Sequence, residues 1–111
     1  MKAKKHSLVF CLDVNIVEPS KKFIEGRVHL EKRCEDFPFL PSTGMGIILP
    51  PFNDEKKIKL YVKGPGWLVE SEKGFSWVIE LKTSTTGHHW DNPSVSSEMV
   101  EEALKNGWVS T

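Results

Sequence analysis

The sequence predicts a mainly β fold of the α+β class: a curved antiparallel sheet or small β-barrel of five to seven strands, with one C-terminal helix. Short segments that alternate apolar and polar residues recur between turn residues over about 7–82. A capped segment with helical spacing follows at about 93–106, after a His-rich loop at 83–92. A chain of 111 residues can bury one core, so we expect a single domain over 1–111.

Four strands are predicted between Leu8 and Lys63. One face of the first strand carries only apolar residues, namely Leu8, Phe10, Leu12, Val14 and Ile16. A second strand is predicted from Phe23 to about Glu31, and the prolines of Phe37–Pro41 favour an extended segment after it. A short strand follows at Ile47–Leu49, and another is predicted at Lys57–Lys63.

A hairpin is predicted over residues 67–81, because the turn residues and the alternation of apolar residues give the same pairing of the two strands. Ser71 to Gly74 suits a three-residue loop with a glycine bulge, which would place Val69 opposite Trp77. The face expected to be buried then carries Trp67, Val69, Phe75, Trp77, Ile79 and Leu81. The preceding Gly64–Gly66 is predicted to be either an even-numbered tight loop or a connection between strands that are not neighbours.

The C-terminal helix is predicted from its caps and its charge order. Asn92, Ser94 or Ser96 can cap its start. Glutamates lie near that start and Lys105 near the end, which is the order that the helix dipole favours. Gly107 suits a left-handed C-terminal cap. An apolar stripe should pack on the sheet or fill the end of an open barrel.

Composition and charge narrow the classes of function. Fifteen basic residues balance fifteen acidic ones, so no net charge steers the chain toward nucleic acid or an anionic membrane. The apolar run behind the basic N-terminus covers only residues 8–12, which is too short for a signal-peptide core or a membrane span. We therefore expect a cytoplasmic protein with no membrane association, in which Cys11 and Cys34 are buried free thiols.

Aromatic residues outside the expected strands provide the leading hypothesis for function. A small domain cannot easily bury every one of them, and an exposed aromatic cluster is a common anchor for a protein partner or a homodimer. The candidate residues for such a surface are Phe37, Phe39, Phe52 and Trp90. The hypothesis is a small, non-enzymatic interaction module that acts through an aromatic-containing surface and needs no cofactor.

The alternative hypothesis is a small barrel that binds single-stranded nucleic acid. Lys57, Lys59, Tyr61 and Lys63 would share one strand face, where lysines contact phosphates and the tyrosine stacks on a base. A solvated strand face whose lysines protect an edge explains the same pattern. Because the net charge is zero, nucleic-acid binding is not the favoured interpretation.

A third hypothesis is an enzyme or metal site in the His-rich loop. His88, His89 and Asp91 offer imidazole and carboxylate ligands, and a histidine can also act as a general base. Adjacent histidines point apart in any regular strand, so both could bind one ion only in an irregular loop. His6, His29, Cys11 and Cys34 could join this site only if the fold brought them close to it, because their spacings match no zinc motif.

Overall fold

The computed structural model describes residues 6–17, 26–52, 59–72, 74–82 and 94–111, and it has a mostly β fold in which an open sheet curls into a half-barrel. This architecture, with one helix near the C-terminus, confirms the predicted fold class. The elements are β1 His6–Ile16, β2 Gly26–Phe37, β3 Gly46–Ile47, β4 Leu60–Val62, β5 Trp67–Ser71, β6 Gly74–Lys82, β7 Ser94–Val95, α1 Ser97–Lys105 and β8 Trp108–Ser110. The His-rich loop at 83–92 lies outside the described residues.

The sheet is organised around β1, which is paired along both of its edges. Its main path runs β3-β4-β6-β1-β2-β8, with β5 attached to β6 and β7 attached to β1. β1 is antiparallel to β2 but parallel to β6 and β7, so the sheet is mixed rather than antiparallel throughout. Parallel neighbours cannot be joined by a tight turn, and the chain between β1 and β6 accordingly passes through β2, β3, β4 and β5.

The core lies on one side of the sheet, here called the inner face. The predicted apolar face of β1 is confirmed from Leu8 to Val14, because all four of its side chains there are buried, and Ile16 is partly buried. Helix α1 and β8 add further core residues, among them Ala103 and Trp108. Complete burial of each large apolar side chain contributes about 1.5–3 kcal/mol to folding. The opposite side, here called the outer face, carries the intervening residues of β1: Val9, Cys11, Asp13 and Asn15.

The predicted register of the β5–β6 hairpin is wrong by one residue. Val69 lies opposite Ser76 rather than Trp77, and Ser71 lies opposite Gly74, which has a φ of +109°. The connection between this pair of residues is therefore one residue shorter than the predicted three-residue loop. Burial of one face is what specifies a register strongly. Every residue of β5 is exposed, so no buried face of this strand fixes the register that the alternation predicts.

The connection from β4 to β5 matches the second of the two predicted alternatives. The two strands do not pair with each other, because both are antiparallel to β6: Val62 lies opposite Leu81 and Trp67 opposite Val78. Residues 63–66 bulge between these pairs against only residues 79 and 80 of β6. Gly66 permits this close crossing, since a Cβ atom there would lie 2.7 Å from the Cδ1 atom of Ile79.

Helix α1 is shorter than predicted and begins at the last of the three candidate caps. The Ser96 hydroxyl accepts a hydrogen bond from the Met99 N–H at 3.2 Å. Ser94 and Val95 are instead paired with β1 as strand β7, so the helix cannot begin earlier. The chain leaves the helix through Gly107, whose φ of +93° agrees with the predicted left-handed cap.

Candidate functional site

Four exposed large apolar side chains lie together on one hairpin. We call this region the hairpin arm. It consists of residues 67–72 and 74–78, which belong to β5, to the turn and to the first half of β6. The exposed fractions are 55% for Trp67, 52% for Leu68, 46% for Val69 and 61% for Phe75. Trp67 and Val69 point to the outer face, whereas Leu68 and Phe75 point to the inner face beyond the core. Both faces of the arm are therefore apolar and accessible, although the sequence predicted one of them to be buried.

The arm also has an open strand edge. One edge of β5 is hydrogen-bonded to β6, and no strand within the described residues pairs with its other edge. β4, which precedes it on the same side of β6, is covered by β3. Natural edge strands are commonly protected by lysine, proline or a bulge. β5 itself contains none of these, although the bulge at residues 63–66 ends directly before it, and its one charged residue is Glu70. An exposed apolar edge of this kind can accept another strand.

The sequence signal for the arm is the apolar run Trp67-Leu68-Val69. In a strand, three consecutive apolar residues place side chains on both faces, so a sheet with a single core can bury only part of the run. The period-two alternation that predicts a buried face includes only every second residue of the strand. Of that expected face, Ile79 and Leu81 are buried and Trp77 is partly buried against the core. The other three residues are exposed, namely Trp67, Val69 and Phe75.

The aromatic residues predicted for a partner surface lie in different environments. Phe39 is exposed and packs edge-on against Phe37, with ring centroids 5.1 Å apart. Phe37 is half-buried and also contacts Phe10 at 5.7 Å. Phe52 is fully buried against Trp108 at 5.4 Å, so it belongs to the core and not to a surface. Trp90 lies outside the described residues.

The lysine strand predicted for nucleic-acid binding is only partly described. Lys59 and Lys63 are exposed, Tyr61 is half-buried beside Gly46, and Lys57 lies outside the described residues. Tyr61 lies opposite Lys82 of β6. Acidic side chains on the next strands of the same outer face, among them Glu80, reduce the local positive potential. Lys82 lies on the same face and adds a positive charge, so the described charges of this face are mixed.

A cluster of polar side chains occupies the outer face of β1 and β2. Cys11 lies directly opposite Glu31, and Asp13 lies directly opposite His29. The Nδ1 atom of His29 is 2.6 Å from Asp13 Oδ1, and its Nε2 atom is 3.2 Å from Glu31 Oε1. We call Cys11, Asp13, His29 and Glu31 the outer cluster. His88, His89 and Asp91, which the sequence suggested for a metal site, lie outside the described residues.

The pKa values of two residues in the outer cluster, His29 and Cys11, are raised. The hydrogen bond to Asp13 is the main cause that raises the pKa of His29 above 6.5, while burial acts in the opposite direction. Burial, followed by the nearby carboxylates of Glu31, Glu80 and Asp13, raises the pKa of the Cys11 thiol from 9.0 to about 11. Cys11 and Cys34 are both free. In the absence of a cation, Cys11 is therefore a protonated thiol at neutral pH.

Comparison with known proteins shows no relative: no protein-family description, curated protein or solved structure matches the chain. None of the helices in the described ranges has the length and apolar character needed to cross a membrane. Among the described residues, two surface features have specific chemistry, namely the hairpin arm and the outer cluster. The arm is suited to contact with another polypeptide, and the cluster is suited to contact with a cation.

Proposed function

We propose that the protein is a small interaction module whose binding element is the hairpin arm and whose partner is a second copy of the same chain. The observation that carries this proposal is the coincidence of an open strand edge with four exposed apolar side chains on the same hairpin. Pairing of the two β5 edges would satisfy the outward backbone groups. It would also remove part of the apolar surface from water.

The sequence of β5 is complementary to itself in the antiparallel direction. In a twofold pairing centred on Leu68, this residue lies opposite the partner's Leu68, and Trp67 lies opposite the partner's Val69. Glu70 then lies opposite the partner's Gly66, so the pairing places no like charges against each other. The zero net charge of the chain means that two copies do not repel one another as whole molecules.

The expected affinity is modest. A standard stable interface buries roughly 800 Å² on each partner, which usually involves 20–30 residues a side. A five-residue strand and four apolar side chains provide considerably less than that area. We therefore expect a reversible dimer with a dissociation constant of roughly 1–100 μM rather than a permanent one.

A charge swap at the twofold axis tests the proposal. Leu68→Glu and Leu68→Lys each place two like charges opposite each other, so each variant should remain monomeric in sedimentation velocity at concentrations where the wild type dimerises. An equimolar mixture of the two variants should dimerise again, because opposite charges then meet at the axis. The matched control is Val109→Lys, which places a charge on an exposed valine of β8 and should leave dimerisation unchanged.

Two results would overturn the proposal. One is a wild-type protein that sediments as a monomer up to roughly 500 μM, well above the expected dissociation constant. The other is a dimer that Leu68→Glu leaves intact or that Val109→Lys weakens equally, since the contact would then lie outside the arm.

A further inference from the structure

We propose that Cys11, His29 and Glu31 bind a zinc ion on the outer face of the sheet, with Asp13 holding the histidine in position. The strand register brings these residues together, although 18 positions of sequence separate Cys11 from His29. Cys11 and Glu31 form one opposed pair of the β1–β2 ladder, and Asp13 and His29 form the next pair on the same face. The resulting donor set is one sulfur, one imidazole nitrogen and one carboxylate oxygen.

The distances suit one ion with little rearrangement. One donor atom from each of Cys11, His29 and Glu31 lies within 4.8 Å of the others. In tetrahedral zinc, bonds of about 2.0–2.3 Å place neighbouring donors roughly 3.3–3.8 Å apart. The 3.2 Å separation of His29 Nε2 and Glu31 Oε1 already approaches that spacing. Small side-chain rotations would therefore form three bonds to the ion and leave a fourth position for water.

Asp13 provides the support that a zinc-binding histidine requires. Its carboxylate is 2.6 Å from His29 Nδ1, close enough to accept the Nδ1–H hydrogen bond. That hydrogen bond selects the tautomer whose Nε2 lone pair is free for a metal. Nε2 is the atom that faces Glu31. A histidine held between a carboxylate and a metal is a recurrent arrangement in zinc proteins.

The charges around the cluster favour a cation. Asp13 and Glu31 belong to the cluster, and Glu80 adds a third carboxylate because it lies opposite Cys11 across the β1–β6 ladder. Arg33 is next along the outer face of β2, but its guanidinium pairs with Glu35 at 3.6 Å. Within the described residues, His29 forms two ion pairs with this group, to Asp13 and to Glu31. A divalent ion would balance the remaining negative charge.

The donor types distinguish zinc from the common alkaline-earth ions. Mg²⁺ and Ca²⁺ select sites composed of oxygen atoms. Thiolate and imidazole ligands select zinc and related transition metals. Binding would release the proton of the Cys11 thiol, and the ion would replace the hydrogen-bonded proton between His29 and Glu31. Because the site joins β1 to β2 within the central part of the sheet, occupancy should stabilise the folded chain.

Metal titration of the full chain, after treatment with a chelator, tests this site. Zinc should raise the melting temperature with a stoichiometry of one ion per chain. Cobalt, used as a spectroscopic probe, should produce a thiolate-to-metal charge-transfer band in the near ultraviolet. Cys11→Ser should abolish that band and His29→Gln should lower zinc affinity at least tenfold, while Asp13→Asn should weaken binding by roughly 10–100-fold.

The second cysteine provides a matched control. Cys34→Ser should keep both the band and the zinc affinity, because Cys34 lies outside the cluster. If Cys11→Ser does not fold, the wild-type protein still decides the question through alkylation kinetics. At about pH 9, where a measurable fraction of the Cys11 thiol is ionised, zinc should then protect Cys11 from iodoacetamide and leave the rate at Cys34 unchanged.

Three results would overturn the zinc site. The first is an unchanged melting temperature and the absence of a cobalt charge-transfer band. The second is zinc affinity or thiol protection that follows Cys34 as closely as Cys11. The third is zinc binding that survives His29→Gln but is lost when His88 and His89 are both replaced by alanine. None of these depends on the oligomeric state, so the zinc site and the arm-mediated dimer can fail independently.

Discussion

Two tryptophans illustrate how the same residue type serves opposite purposes in this chain. Trp108 is 2% exposed, packs against Phe52, and donates its indole N–H to the Pro50 carbonyl at 2.9 Å. Trp67 is 55% exposed on the hairpin arm. The first is satisfied both as an apolar ring and as a hydrogen-bond donor, so its contribution is to stability. The second retains a large apolar surface for contact with another molecule.

Truncation of the two tryptophans should therefore have unequal effects on stability. Trp108→Ala should lower the free energy of unfolding by about 3–5 kcal/mol, because it leaves a cavity and an unpaired carbonyl. Trp67→Ala should change it by no more than about 0.5 kcal/mol in the monomer, since it removes surface that is already in water. Urea denaturation at low micromolar protein concentration measures both values. Equal losses would contradict the assigned burial.

At the scale of single elements, the start of helix α1 is set by the residues before it that pair with the sheet. Three residues ahead of it had side chains suitable for a cap, and local chemistry did not choose among them. Ser94 and Val95 are paired with β1, which requires an extended backbone up to that point. Ser96, with φ −79° and ψ 162°, is extended as a cap should be, and its hydroxyl accepts the Met99 N–H.

Replacement of this cap should destabilise the protein by a measurable amount. Ser96→Ala should lower the free energy of unfolding by about 1 kcal/mol, because the Met99 N–H loses its side-chain acceptor. Ser96→Asp is the control: it keeps an acceptor at the same place and adds a negative charge beside the positive end of the helix dipole. Chemical denaturation followed by circular dichroism should therefore rank Ser96→Asp close to the wild type. Equal loss in both variants would show that the cap is not the cause.

At the scale of the whole molecule, stability should decrease from the centre of the sheet toward the arm. β1 is paired with β2 on one edge and with β6 on the other, and its inner face is buried from Leu8 to Val14. β5 is paired along one edge and is exposed along its full length. Local opening requires little free energy where few apolar contacts must be broken.

Amide hydrogen exchange should reveal this gradient directly. The slowest exchange is expected in β1, and the fastest among the strands longer than three residues is expected in β5. If the dimer forms through β5, protection of the β5 amides should increase with protein concentration, while protection in β1 should not. Slow exchange in β5 at low concentration, or a concentration effect confined to β8, would contradict the proposed organisation.

Local sequence patterns predicted much of the fold, because the relevant physics acts between residues close together in the chain. The period-two pattern of β1 identified its buried face from Leu8 to Val14. Capping chemistry and Gly107 located the helix to within a few residues. The apolar run Trp67-Leu68-Val69 contains the signal for an exposed arm, whereas alternation by itself predicts that one face of the hairpin is buried.

Only the tertiary structure decided which distant segments became neighbours. The parallel pairing of β1 with β6 and the one-residue shift of the hairpin depend on contacts across the sheet, which no local pattern encodes. The outer cluster likewise depends on contacts across the sheet. The sequence contains Cys11, His29 and Glu31 without a recognisable spacing, and the β1–β2 register places their donor atoms within 4.8 Å. The mainly β fold was therefore determined by local periodicity, whereas the arm and the candidate zinc site were determined by strand order and register.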